Sequence, residues 1–294
     1  MWWQDEAMAV LTLNDGRLLD YRISGPEGGT PLVFHHGTPG SVVPPRAIER
    51  AAHARGLRLV TFSRAGYGGS TRHRGRRIVD VVDDTAAVLH AIGATESYVA
   101  GWSGGGPHTL ACAARLDGVK AALVIAGVGP STAADLDFLA GMGQDNLDEF
   151  GEAAAGEDRI RAYLDAARSG LQNATAVELI SEMASLLPEI DRAALSDEYG
   201  EDLATGYHEA LRVGVDGWLD DDLAFLEHWG FELDEISVPT GLWQGTADLM
   251  VPPSHGEWFA SHVPQARVTI LEGEGHLSLA LGVLDRMMDE LTQP

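Results

Sequence analysis

Between residues 31 and 128 short apolar runs alternate with stretches of helical periodicity, and this alternation restricts the fold more than any other feature of the chain. The runs Pro31–His35, Leu57–Phe62, Ser97–Ala100 and Ala121–Val128 are apolar on both sides, as strands covered on both faces are, while 44–55, 78–92 and 104–115 place apolar residues at helical spacing. Successive β-α-β units imply a parallel sheet with right-handed crossovers. Ahead of them, Ala7–Leu13 and Leu18–Ile23 flank Asn14-Asp15-Gly16, whose Asp-Gly step supplies the positive φ of a tight turn, so an antiparallel hairpin is expected. Strand character returns at Pro239–Gln244 and Arg267–Glu272, with helices near 252–262 and 279–291. The expected class is α/β, a mostly parallel eight-stranded sheet flanked by helices.

After Val128-Gly129-Pro130 the strands stop. Helical spacing takes over at 133–142, 145–154, 157–169, 174–187 and 200–213, with a return segment around 218–234. We therefore expect a core made of 1–130 and 238–294 and an inserted α-helical cap over 131–237. Charge marks the same boundary: 131–237 holds 26 of the 44 acidic residues and 5 of the 20 basic ones, a net of −21 within a chain of −24. Such a surface repels phosphate backbones and anionic lipid, which disfavours nucleic-acid and membrane-surface partners. It serves either as a solvated face that promotes solubility or as a lid that attracts cationic or amine-bearing substrates.

The start, Met1-Trp2-Trp3-Gln4-Asp5-Glu6, has neither a basic nor an apolar leader segment, and no run approaches the length of a membrane span, so a cytoplasmic protein is expected. Cys112 stands alone and precludes an internal disulfide; within a helical stretch it reads as a small buried hydrophobe. Nothing has metal-ligand spacing, and the glycine-rich segments lack nucleotide-binding patterns, so no cofactor is expected. The partner expected is a small-molecule substrate, and a homodimer is compatible with the sequence.

Gly101-Trp102-Ser103-Gly104-Gly105 lies between the run ending at Ala100 and the helical stretch beginning near His108. A strand-to-helix turn this sharp presents the serine in strained φ/ψ and leaves no room for Cβ atoms two residues to either side. The following helix aims its N-terminal N–H groups at the space beside Ser103 Oγ. Serine is a poor nucleophile unless a base is within hydrogen-bond reach and an acid orients that base. Asp248 stands just past one late strand and His276 just past the next, and loops at the carboxyl ends of parallel strands converge on one crevice. Rivals rank lower. His255 and His262 fall on the helix after Asp248, His35 and His36 are better placed to brace a loop, and Asp135 is a second candidate for the acid.

The order Ser103, Asp248, His276 resembles the α/β-hydrolase fold family over nearly the whole chain. His35-His36-Gly37-Thr38-Pro39-Gly40 is similar to that family's His-Gly oxyanion loop, which implies the backbone N–H groups of Thr38 and Gly104 as the oxyanion hole. Arg64-Ala65-Gly66-Tyr67-Gly68-Gly69-Ser70 resembles the turn after the fourth strand, with Ser63 where the family often has Asp. His36, Gly37, Trp102 and Trp218 are candidate pocket residues, and Phe225 and Trp229 are aromatic candidates of the same kind.

A serine nucleophile argues against dehalogenase and epoxide hydrolase chemistry, whose members of the family use a carboxylate. The expected activity is hydrolysis of a small carboxylic ester through a Ser103 acyl-enzyme, with His276 as general base and acid and Asp248 orienting it. The His36-Gly37-Thr38-Pro39-Gly40 loop also resembles that of proline iminopeptidases, and an acidic lid could hold a substrate ammonium; against this, that branch usually has Trp where Gly104 stands. Cofactor-free perhydrolysis and C–C hydrolysis use the same three residues. A non-catalytic small-molecule receptor on the same fold is the alternative from a different class.

Overall fold

The architecture follows from where the apolar runs fall. A computed structural model describes residues 8–195 and 198–293; Ala7, the first residue of the expected hairpin, and the start of the chain lie outside them. The strands are β1 (Met8–Thr12), β2 (Leu18–Ser24), β3 (Pro31–His35), β4 (Arg58–Phe62), β5 (Ser97–Trp102), β6 (Val119–Ile125), β7 (Thr240–Gly245) and β8 (Ala266–Leu271). Among the described residues they form one eight-stranded sheet in the order β1-β2-β4-β3-β5-β6-β7-β8. β1 and β2 pair antiparallel as the hairpin, β2 meets β4 antiparallel, and every later pairing is parallel. The strand order reverses at β3, which lies between β4 and β5, and this makes a crevice at the carboxyl ends of these parallel strands.

Helices α1 (Arg46–Ala54), α2 (Val81–Ala91) and α3 (Gly105–Arg115) connect the first parallel strands. Between β6 and β7 come α4 (Gln144–Ala154), α5 (Glu157–Leu171), α6 (Ala176–Glu182), α7 (Glu189–Ala194), α8 (Glu198–Leu211) and α9 (Asp216–Phe225). The chain ends with α10 (Pro253–His262), α11 (His276–Gly282) and α12 (Leu284–Thr292). All five residues of β3 are buried, because apolar clusters cover both faces of the sheet: Val33, Val60, Val99 and Val124 on one side, Leu32, Leu59, Leu123 and Trp243 on the other. Each such side chain contributes roughly 1.5–3 kcal/mol on burial.

Three helical expectations are corrected. Residues 133–142 form turns instead of a helix: Gly141 takes φ +90°, and the segment buries Leu136, Phe138 and Met142 through short-range turn bonds such as Met142 N–H to the Leu139 carbonyl. The expected helix 174–187 runs only over Ala176–Glu182: Met183 leaves helical geometry at φ −107° and ψ 22°, turns follow, and a separate helix, α7, begins after Pro188. The helix expected over 279–291 is two helices, the first starting at His276 and ending at Gly282.

Candidate active site

Ser103 sits where β5 gives way to α3, at φ +57°, a left-handed conformation that costs a non-glycine residue about 1–2 kcal/mol. Its N–H donates to the Ile125 carbonyl at 2.9 Å and its carbonyl accepts from Gly106 N–H at 2.8 Å, so the turn is held from β6 and from the helix. A Cβ at Gly101 would strike Thr109 and the Gly105 backbone, and one at Gly105 would strike the His35 carbonyl. The two flanking glycines are therefore required by close approach.

Asp248 lies three residues past β7 and is buried, with every acceptor position used. Its Oδ1 accepts from the N–H groups of Met250 and Val251, both at 2.8 Å, and its Oδ2 from Gln244 Nε2 at 3.1 Å and His276 Nδ1 at 2.7 Å. Gln244, fixed in turn on the Val251 carbonyl, was not singled out from the sequence. With Nδ1–H given to Asp248, the neutral ring keeps Nε2 as its basic nitrogen. His276 opens α11 and is buried against Trp102: the ring centroids are 5.0 Å apart, and Trp102 Nε1 donates to the His276 carbonyl at 3.3 Å. Asp248 and His276 thus meet in one hydrogen bond, and Ser103 directly follows Trp102, whose ring packs on His276.

The loop after β3 is clamped by a buried network that the sequence did not reveal. Arg64 donates to the carbonyls of His36 and Gly37 and to Thr38 Oγ1. Its charge is met by Asp221 of α9 at 2.6 Å, and Asp221 also accepts from Arg76 at 2.7 Å, Thr38 Oγ1 at 2.8 Å and the Tyr67 hydroxyl at 2.9 Å. Burial opposes the Asp221 charge, but Arg64 and Arg76 overcome it and hold the carboxyl well below the usual range. His36 Nε2 accepts from Arg64 N–H at 3.1 Å, so Nδ1 carries the proton and donates to the Gly37 carbonyl at 2.7 Å. Burial and the Arg64 charge lower the His36 pKa, keeping this brace neutral.

A cavity of about 210 Å³ opens beside Ser103, bounded by Thr38 and Gly104 below and by insert residues such as Glu149, Trp218 and Asp222 above. Trp218 lines it, as expected. His36, Gly37 and Trp102 do not: they face a separate small recess, because Arg64 holds the His36 loop inward and Trp102 turns away to pack on His276. Phe225 also lines the main cavity, whereas Trp229 is buried against Phe231 in the core. Glu149 and Asp222 both keep their protons to higher pH than an ordinary carboxyl. Burial pushes Glu149 up to about 7, with Trp218 Nε1 at 2.7 Å pulling the other way, and burial together with the charges of Glu149 and Asp221 raises Asp222 well above the usual carboxylate range. Among the described residues no N–H donor reaches either Asp222 oxygen.

The rival residues are occupied elsewhere. His255 accepts from Gly129 N–H at 2.9 Å and bonds the Phe138 carbonyl, and burial lowers its pKa to about 4. Asp135 is exposed and binds Trp258 Nε1 and His262, whose ring stacks on Trp258. Cys112 is buried at 3.5 Å from His35 Nε2, its thiol pushed up to about 12 by burial. Ser63 anchors its turn: its N–H and carbonyl tie to Asp20 and Ser70, and its hydroxyl accepts from Val42 N–H.

The model of the alpha/beta hydrolase fold family matches residues 30–283. The chain belongs to that family. This alpha/beta hydrolase is 28% identical over 273 residues, 89% of its length, to the dihydrolipoyllysine-residue acetyltransferase component of an acetoin cleaving system from Pseudomonas putida. It is 32% identical over 126 residues, 42% of its length, to a bifunctional esterase/perhydrolase from Acinetobacter calcoaceticus. The chain spans 62% and 46% of the lengths of these two relatives. An alpha/beta hydrolase fold protein from Nakamurella multipartita superposes with a TM-score of 0.63 at 25% identity, covering 97% of this chain and 98% of the other. Among the described residues no helix is long and apolar enough to cross a membrane.

Proposed function

We propose that the chain is a serine hydrolase that cleaves a small carboxylic ester through an acyl-enzyme on Ser103. The observation that carries this reading is the buried 2.7 Å hydrogen bond between Asp248 and His276 Nδ1, beside a serine held at positive φ. His276 Nε2 takes the Ser103 proton as Oγ attacks the ester carbonyl, and the displaced electron pair moves onto the carbonyl oxygen. The backbone N–H groups of Thr38 and Gly104 bind that oxyanion, and losing one such donor raises the barrier by about 3–4 kcal/mol. As the tetrahedral species collapses, the leaving alkoxide takes the proton from the imidazolium. Water then repeats the sequence, releasing the acid and restoring Ser103. Residues 131–237 act as the cap that closes the pocket and limits water access.

A second reading draws on Glu149 and Asp222, which stand in the same cavity as Ser103. A substrate ammonium would displace their protons and turn the pair into a counter-ion, as an aminopeptidase acting on a free amino terminus requires. The esterase/perhydrolase relative favours the ester reading and keeps perhydrolysis beside it. The test is a p-nitrophenyl acetate burst assay with Ser103→Ala, run beside proline p-nitroanilide. A burst that vanishes in the variant, with faster turnover of the ester, is expected. An anilide turned over faster favours the aminopeptidase, and absence of acylation in the unaltered protein leaves a binding protein.

A further inference from the structure

Besides Asp248 and Trp102, a third residue holds His276. His276 is the first residue of α11, and the opening N–H groups of a helix have no partner within it. The residue before it, Gly275, has no side chain to cap them. Asp191, on α7 of the insert, supplies the missing acceptor from 85 residues earlier: Oδ2 takes the His276 N–H at 2.8 Å, and Oδ1 takes those of Leu277 at 3.0 Å and Ser278 at 2.8 Å. The Asp191 side chain is fully buried. A Cβ on Gly275 would land on the Asp191 carboxylate, so glycine leaves space for an acid arriving from another part of the chain. Arg192, the next residue, fastens this end of the insert by donating to the carbonyls of Leu187 and Ala184.

We propose that Asp191 is a positioning residue for His276, one that makes the placement of the base conditional on the helical insert being seated on the core. The proposal rests on the reading of His276 as the general base. Placement is what three short bonds to consecutive backbone N–H groups control, because they fix both the start and the direction of α11 and hence where the imidazole meets Asp248. Errors of about 1 Å in such placement cost on the order of 100-fold in rate. The carboxylate also lies close enough to His276 and Asp248 to act on their charges, and Tyr199 on α8 is the further titratable group facing it. A negative group beside the ring favours imidazolium, and its removal makes the ring easier to deprotonate.

The experiment compares Asp191→Asn, Asp191→Ala and Gly275→Ala in the full chain. Asp191→Ala and Gly275→Ala are expected to lower kcat about 10- to 100-fold with KM little changed. Asp191→Asn, which retains one acceptor oxygen, is expected to lose less kcat but to move the acid limb of the pH–rate profile to lower pH. The effects of Gly275→Ala and Asp191→Ala should be far from additive, since both empty the same site. If Asp191→Ala fails to fold, Asp191→Asn and Gly275→Ala carry the test. Folded variants with wild-type kcat and an unmoved acid limb would overturn the proposal and leave Asp191 as a helix cap only. Should the unaltered protein show no Ser103-dependent turnover, the hydrolase reading fails on its own. The placement is then read from the His276 ring resonances: a titration midpoint lower in Asp191→Asn supports it, and an unmoved one overturns it.

Discussion

Replacing Asp221 by Asn tests whether the insert holds the oxyanion loop through charge. The substitution preserves volume and can still accept from Thr38 or Tyr67, but it leaves Arg64 and Arg76 buried without their anion. Breaking a buried pair by removing one partner costs about 3–5 kcal/mol, because the surviving charge is stranded. With roughly 2–3 °C of melting temperature per kcal/mol for a chain of this size, the variant should melt about 6–15 °C lower. The pH dependence follows from Asp221 being held well below the usual carboxylate range. A depressed carboxyl contributes stability that is complete above the unfolded-state value, near 3.9, and is lost as pH falls through the lower folded-state value. The gap between the two proteins should therefore be constant from pH 7 to about 5 and close only in strong acid. Calorimetry across that range measures it. Glu201→Gln is the control, since its bond to Arg46 joins two exposed groups that solvent screens, and it should leave the melting temperature nearly unchanged. Activity should fall with stability, because Arg64 reaches the carbonyls of His36 and Gly37. A loss below about 1 kcal/mol with unchanged kcat would refute the reasoning, since it would mean that the two guanidiniums need no buried anion.

Ser103→Gly and Ser103→Ala should both be inactive, yet the glycine variant should be more stable by about 1 kcal/mol, because only it relieves the φ of +57°. Equal melting temperatures would show that the elbow stores no strain. The Glu149–Asp222 pair has the opposite linkage to Asp221: its folded pKa values are raised, so the folded protein holds a proton the unfolded chain releases, and stability falls as pH rises from about 4.5 toward 7. For Glu149 alone the fall is on the order of 3 kcal/mol. Denaturant titrations should show this slope in the unaltered protein and a flatter one in Glu149→Gln/Asp222→Asn; parallel profiles would show that the two carboxyls are not raised on folding.

The sheet and the three rim residues were legible because each depends on short-range rules. A buried parallel strand announces itself as an unbroken apolar run, and Ser103, Asp248 and His276 each follow such a run by a few residues, where topology brings strand ends together. What stayed hidden joins distant parts of the chain. Asp221 meets Arg64 across 157 positions and Asp191 meets His276 across 85, and neither pair leaves a periodic trace. One signal was available: Asp220-Asp221-Asp222 cannot all face water on a helix that also carries Trp218, Leu219 and Phe225, and all three acids are in fact buried. Of the pocket candidates, Trp218 and Phe225 line the cavity, while His36, Gly37 and Trp102 do not, for a related reason. Proximity to the nucleophile in sequence put Trp102 forward, but strand alternation turns its ring to the side of His276, so the aromatic walls of the cavity are Phe150, Tyr163, Tyr207, Trp218 and Phe225 from the segment between β6 and β7.

The uneven charge of the chain is resolved by asking which acids have arginine partners. Arginines of the core meet acids of the insert repeatedly: Arg46 with Glu201 and Asp202, Arg72 with Asp216 and Asp220, Arg74 with Glu157, Arg115 with Glu235. The pairs whose two partners are exposed are worth little singly and are screened by salt; the side chains of Asp202 and Asp220 are buried, so the joint effect is to set where the segment between β6 and β7 lands, with Asp221 adding the strong term. Much of the acidity is thus spent on docking and says nothing about the ligand. Glu149 and Asp222 differ because they line the cavity, and burial raises both carboxyls above the usual range, so protonation takes the place of a cationic partner. The acids paired with arginines are accounted for by packing within the protein, and of these acids it is Glu149 and Asp222 that line the cavity with Ser103.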